Sequence, residues 1–299
     1  MPDEKEIKIG IWGGSGSGKT TFLSALEIAT LSDQTGTWNI WADEEASPGS
    51  ATFLLNGTES LMSKAFPEPT NSRSTLTYAI NGDLTAGLIN KLMVSVGRPR
   101  HISFRLHVFD YPGEDLLLRD PEDEIWGNLS ACDGLVYLYD PHQRDVRAGN
   151  FKILSRSMMM MHQFLSRTNK NMIQNGLLPQ HLAVCLTQFD DDEIFTRLRK
   201  EHLITQERNA EGIPYVTDAD KAFGCFAESL TRQRIERTFH RGRIRFFVTS
   251  SIGFYRENGR VDIDRCSNVS RELGGTKLRG EPMPIGVLEP LVWIHSQLV

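Results

Sequence analysis

Short runs rich in β-branched and aromatic residues alternate along the chain with stretches whose apolar positions recur every three to four residues. EIKIGIW (6–12), TLTYAI (75–80), ISFRLHVFD (102–110), GLVYLYD (134–140), HLAVCLTQFD (181–190) and IRFFVTSS (244–251) read as strands. Several are apolar almost throughout, the pattern of strands covered on both faces by helices. Helical spacing fits 18–31, 84–96, 144–170, 219–238 and 285–298. In the last, Pro284 stands near the first turn, Val287, Leu288, Leu291, Ile294 and Leu298 form the apolar stripe, and Pro290 limits or kinks the start. The alternation predicts an α/β fold with a mostly parallel six-stranded sheet and helices on both faces. Segments 32–73, 203–218 and 253–283 are turn-rich and carry no apolar core of their own. They read as loops, with 32–69 and 253–283 as insertions, so residues 1–299 form a single elaborated domain. The MMMM run at 158–161 packs one helix face.

Composition narrows the classes without changing this picture. Hydrophobic residues make up 39% and charged residues 24% of 299 positions, the proportions of an ordinary soluble globular protein. No apolar run approaches the ~18 residues needed to cross a bilayer. The opening MPDEKEIKIG has no apolar signal core, Pro2 rules out myristoylation, and WIHSQLV at the end has no prenylation cysteine. The expectation is a cytoplasmic protein without a membrane anchor. A net charge of −5 offers no electrostatic reason for a nucleic-acid partner. Cys132, Cys185, Cys225 and Cys266 lie far apart without a C-x-x-C pair and read as buried free thiols. The eight histidines show neither zinc spacing nor a Ser-His-Asp order.

The strongest chemical signal is GGSGSGKT at 13–20, which satisfies G-x-x-x-x-G-K-[ST] between an apolar strand and a helix-forming run. Glycines let the backbone wrap closely and turn its N–H groups toward phosphate oxygens, while the following helix adds its positive dipole end. The phosphate-contacting set is Gly13, Gly14, Ser15, Gly16, Ser17, Gly18, Lys19, Thr20 and Thr21. Lys19 bridges the β- and γ-phosphates and the Thr20 hydroxyl ligates Mg²⁺. A dinucleotide loop needs G-x-G-x-x-G, and it leaves Lys-Thr unexplained.

Three later strand ends bear on which nucleotide this is. LHVFDYPGED (106–115) ends in D-x-x-G: Asp110 is placed to hold Mg²⁺, and Gly113 lets its N–H approach the γ-phosphate. AVCLTQFD (183–190) ends in Thr187, Gln188, Phe189 and Asp190. A carboxylate there accepts from guanine N1–H and N2–H₂, whereas against adenine it meets a lone pair and a C–H. Leaving it unpaired costs on the order of 1–3 kcal/mol. FFVTSSIG (246–253) supplies Thr249, Ser250 and Ser251, small residues whose backbone N–H groups can reach guanine O6.

In that order and at those places, GGSGSGKT, DYPG, TQFD and TSS resemble the translation-factor and Ras-like class of P-loop GTPases, specifically a larger bacterial-type member with extended loops. The resemblance spans about 250 residues but is specific only in the four short segments. It implies a Ras-like G domain, guanine nucleotide and Mg²⁺ as ligands, and partners that read nucleotide-dependent switch segments. It also implies a switch threonine before the second strand, for which Thr70 in FPEPTNSRSTLTYAI follows Pro69 as the family pattern does; Thr75 and Thr77 compete. Three positions depart from the pattern. Gln188 stands where a lysine covers the base and ties the glycine loop. Glu114 replaces the water-orienting glutamine, so catalysis through Lys19, Gly113 and Glu114 should be slow. Pro67 occupies the place of a catalytic arginine, and Arg73, Arg98, Arg100 and Arg119 are at no diagnostic spacing.

The remaining charge runs read blandly. Arg232, Arg234, Arg237, Arg241, Arg243 and Arg245 form a solvated face, with an acidic partner as the alternative. Asp191, Asp192 and Glu193 suit a helix N-terminus. The functional expectation is a switch that hydrolyses GTP slowly. A nucleotide-gated scaffold without turnover, and a P-loop ATPase or small-molecule kinase, remain open beside it.

Overall fold

The computed structural model describes residues 5–32, 38–69, 72–83, 101–112, 115–117, 124–143, 149–206, 212–272 and 275–298. Seven strands form the central sheet: β1 (Lys5–Gly13), β2 (Asn39–Ala42), β3 (Ser74–Asp83), β4 (His101–Asp110), β5 (Gly134–Tyr139), β6 (His181–Leu186) and, after the short hairpin β7 (Ile204–Gln206) and β8 (Pro214–Val216), β9 (Ile244–Val248). Their order is β2-β3-β4-β1-β5-β6-β9. From β4 to β9 every neighbouring pair is parallel, while β2 and β3 run antiparallel at one edge. All six strands read from the sequence are present, and β2 is the seventh.

Why this sheet is double-sided follows from alternation. Successive strand residues point to opposite faces. Leu135, Tyr137 and Tyr139 of β5 pack on one side with Trp12, Trp126, Leu154 and Met158, while Val136 and Leu138 pack on the other with Ile9, Ile11, Phe22 and Leu291. Each side is closed by helices. On the second lie α1 (Lys19–Ser32), α2 (Ser50–Met62) and the C-terminal helix Glu289–Leu298; on the first lie α3 (Glu124–Ser130) and α4 (Asn150–Thr168). Among the MMMM residues Met158, Met160 and Met161 are buried and Met159 faces out, so the run covers one helix face.

The structure adds detail in the turn-rich segments. Residues 32–73 contribute β2 and α2, because only Leu54, Gly57 and Leu61 need to face α1 and so sparse an apolar set does not stand out in the sequence. The stretch read as one helix at 219–238 is two, Ala219–Phe226 and Ser229–Thr238. The Tyr139 hydroxyl donates to the Phe226 carbonyl at 3.1 Å, taking the acceptor at the break. The C-terminal helix begins at Glu289 rather than 285, since Ile285 exchanges backbone hydrogen bonds with Ser250 (2.8 and 2.9 Å). Pro290 then falls in the first turn, where its missing N–H costs nothing. Segment 253–283 forms two hairpins, β10 (Arg256–Glu257) with β11 (Arg260–Val261) and β12 (Val269–Glu272) with β13 (Gly275–Leu278). The expected helix 84–96 lies outside the described residues. All four cysteines are free, with Cys132, Cys185 and Cys266 buried and Cys225 partly so. No helix among the described residues is long and apolar enough to cross a membrane.

Candidate functional site

The glycine loop sits where β1, at the middle of the sheet, meets α1. Gly13 tolerates no side chain: a Cβ there would stand 2.5 Å from Ser17 Oγ and 2.6 Å from the Leu138 carbonyl. Gly16 adopts φ +81°, a left-handed conformation that glycine takes without strain. The helix starts at once, with Phe22 N–H donating to the Gly18 carbonyl at 2.7 Å. Lys19 is buried, and its ammonium donates back to the carbonyls of Gly13 (3.0 Å) and Gly14 (3.2 Å). Burial pulls its pKa below the ordinary value, opposed by the negative charge of Asp110. Asp110 is itself buried at the C-terminal end of β4, near enough for its charge to act on the loop lysine. The buried Ser17 hydroxyl has no hydrogen-bond partner among the described residues.

At the end of β6 the chain makes a turn that separates three side chains. Gln188 takes φ +60°, and Phe189 drops into an aromatic cluster with Phe195 and Phe254 (ring centroids 6.0 and 5.0 Å). Asp190, only 4% exposed, accepts a hydrogen bond from Ser250 Oγ at 2.5 Å. That hydroxyl in turn accepts from the Gly253 N–H at 2.8 Å. Burial pushes the Asp190 carboxyl up to about 6, the Ser250 hydrogen bond pulling the other way. Asp191 caps the helix α5 (Asp192–Lys200), accepting from the N–H groups of Glu193 and Ile194.

Loop and turn open into one cavity of about 780 Å³. Residues 15–21 line one end, Thr187, Gln188, Asp190 and Ser251 the other, and Phe66, Pro67 and Pro69 a side. Thr249 and Ser250 do not line it. Their N–H groups are taken by the Leu186 and Ile285 carbonyls (2.8 and 2.9 Å), and Ser250 acts through Asp190 instead. Thr70, Gly113 and Glu114 lie outside the described residues, as do Arg98, Arg100 and Arg119. Arg73 is bound to Asp115 at 2.7 Å and Glu124 at 3.3 Å. A second cavity of about 810 Å³ runs along the outer edge of β9 and contains neither loop nor strand-end carboxylate.

Two neighbours escaped the sequence reading. Asp140, at the end of β5, accepts from the Gln188 amide at 3.3 Å and from the His142 N–H at 2.9 Å. Gln143 donates its amide to the Ser15 carbonyl. The tie on the glycine loop that a lysine at 188 would supply comes here from a glutamine 128 positions along the chain from Ser15. No local pattern announces such a contact.

The sheet order, with the glycine loop after a central parallel strand and one antiparallel flank, defines an α/β P-loop fold of the Ras-like kind. The sequence matches no protein-family profile and no curated protein. Among solved structures the chain is similar to sup35 complexed with GDP, at 12% identity, with 89% of this chain and 42% of that one covered and a TM-score of 0.35. It is also similar to the signal recognition particle receptor SRb-GTP/SRX complex from Chaetomium thermophilum (13% identity, 85% and 94% covered, TM-score 0.38). A third is the Arl6 BBS3 small GTPase from Trypanosoma brucei with a bound nucleotide analogue, GppNp (12%, 98% and 97%, 0.35). The chain thus spans less than half the length of the first of these. Likeness at this level carries no argument about activity, and the class of fold rests on the sheet itself.

Proposed function

We propose that this protein binds GTP and hydrolyses it slowly, acting as a nucleotide-dependent switch. One observation carries the reading: a buried carboxylate, Asp190, shares a cavity with a phosphate loop that ends in Lys19-Thr20. A triphosphate suits the loop end, where the Lys19 ammonium lies folded on the carbonyls of Gly13 and Gly14 and the buried Ser17 hydroxyl has no partner among the described residues. A purine with two edge donors suits the other end, because Asp190 needs hydrogen-bond donors to stay ionised when water is displaced. Thr20 and Asp110 form a hard oxygen donor set at the loop, fitting a bound Mg²⁺ that offsets the charge of the triphosphate.

In this reading Lys19 and the loop N–H groups hold the γ-phosphate against in-line attack by water and stabilise the charge that develops on it. Gly113 and Thr70 sense the γ-phosphate, and its loss releases the segments around 66–75 and 110–124 toward a protein partner. Glu114 is a poor water-positioner, since its charge opposes that of the phosphate. Unaided turnover falls on the order of 10⁻⁴ to 10⁻² s⁻¹. The same glutamate favours a second reading, a nucleotide-gated scaffold without turnover. Affinities for GTP, GDP and ATP with and without Mg²⁺ test the binding claim, and preference for ATP ends it. Single-turnover phosphate release separates switch from scaffold: none over hours leaves the scaffold alone.

A further inference from the structure

The cavity has a wall that no P-loop motif provides. The hairpin β12–β13 lies across α1, anchored by Val269 and Leu278 against Ala25, Ile28, Leu61 and Ile252. Its base is held firmly. Asn268 donates to the Ile252 carbonyl (3.0 Å) and accepts from Gly280 N–H (2.8 Å), and Leu278 N–H donates to the Lys64 carbonyl (2.9 Å). Ser267 N–H donates to Asp192 at 3.2 Å, next to the base-reading turn. The hairpin therefore starts beside Asp192.

Alternation then decides which residues face inward. Val269 and Leu278 are paired across the hairpin, and so are Arg271 and Thr276, on the same face; Ser270 and Lys277 are paired on the other. Arg271 and Thr276 accordingly line the cavity together with Thr20 and Thr21, about 7 Å beyond Val269 along the strand. Among the described residues lining this cavity, Lys19 and Arg271 are the cations and Asp190, Asp191 and Asp192 the carboxylates. Three carboxylates and one lysine make a poor host for a polyphosphate. The turn at 187–190 adds no cation, having Gln188 where the resembled pattern has a lysine. The Arg271 side chain is exposed and has no ion-pair partner among the described residues.

We infer that Arg271 donates to phosphate oxygens of the bound nucleotide, so that hairpin 269–278 is one jaw of the nucleotide site and its arginine supplies the cation missing at 188. The inference rests on the nucleotide reading above. A guanidinium suits the task because its planar fork meets two phosphate oxygens at once.

The test is titration of the full chain with GTP, GDP and guanosine, comparing wild type with Arg271→Ala, Arg271→Lys and Lys277→Ala. Arg271→Ala should weaken GTP and GDP roughly tenfold, the scale of one charge-assisted contact, and leave guanosine unchanged. Arg271→Lys should recover part of the loss, and Lys277→Ala, on the outer face, should lose nothing. Unaltered GTP affinity in Arg271→Ala overturns the inference. So does an equal loss for guanosine, or a lowered melting temperature without nucleotide, because either marks a structural role. Should wild type prefer ATP, the guanine reading falls while the arginine is still tested, by ATP against adenosine. Should it bind no nucleotide, both fall.

Discussion

In the proposed nucleotide site the consecutive residues 13–21, of which 15–21 line one end of the cavity, supply the phosphate cradle, its cation and its helix dipole. At the other, Asp190 is buried and aimed by Ser250, 60 positions away, which is itself held by Gly253 and Ile285. The phosphate end is made of backbone and needs only glycines and a lysine at fixed spacing. The base end is made of side chains and needs three strand ends to arrive in register. The contrast explains why the departure from the pattern that the sequence resembles falls at Gln188. Exchanging lysine for Gln188 removes a tie on the glycine loop, and Gln143 from the β5 exit provides another. A side-chain tie can be replaced from elsewhere in the fold, whereas a backbone cradle cannot.

The two ends should respond differently to substitution. Lys19→Ala should have the largest effect, about 10³-fold weaker binding of GTP, GDP and ATP alike, on the scale of about 4 kcal/mol for losing a buried charge partner. Calorimetric titration of the three nucleotides measures it, and a loss confined to GTP would break the comparison. Asp190→Asn should weaken GTP by roughly 10- to 100-fold and favour xanthosine triphosphate, whose altered edge matches an amide. Competition between the two nucleotides reads this switch, and unchanged GTP affinity would remove the base end altogether.

Acidity comes next. Burial raises the Asp190 carboxyl from 3.8 to about 6, and in the proposed site only its ionised form, with no O–H of its own, can accept from both guanine edge donors. GDP affinity should therefore fall by up to about tenfold per pH unit below about 6. Stability without nucleotide should move the other way. A raised carboxyl binds its proton more tightly folded than unfolded, so this group costs stability above pH 6 and the cost is relieved as pH falls toward 4. Melting curves and titrations over the same pH series show whether the two trends oppose. The smallest effect is a gain. Gln188→Lys places an ammonium against Asp140, which the Gln188 amide already reaches at 3.3 Å, and should strengthen GTP binding roughly threefold, as for a partly exposed ion pair. Weaker binding in that variant would mean that the glutamine suits this site better than the charge.

Much of this was legible in residue order because the physics is local. A parallel sheet buried on both faces leaves continuous apolar runs, and a phosphate loop leaves glycines and Lys-Thr at set spacing, so the six strands and the cradle could be read directly. Asp190 stood out as a candidate because it follows an apolar run, and the structure buries it beside the cavity. Contacts between distant segments were not. Nothing near Gln143 announces Ser15, nothing near Ser250 announces that its N–H is spent on Ile285, and a hairpin of mixed residues at 269–278 gives no sign that it borders the loop. Composition and order thus determined the fold class and the glycine loop at the end of β1, where neighbours in the chain are neighbours in space. Tertiary structure alone decided how Asp190 is oriented, what ties the loop and where Arg271 sits, because those depend on which strand ends and insertions the packed sheet brings together.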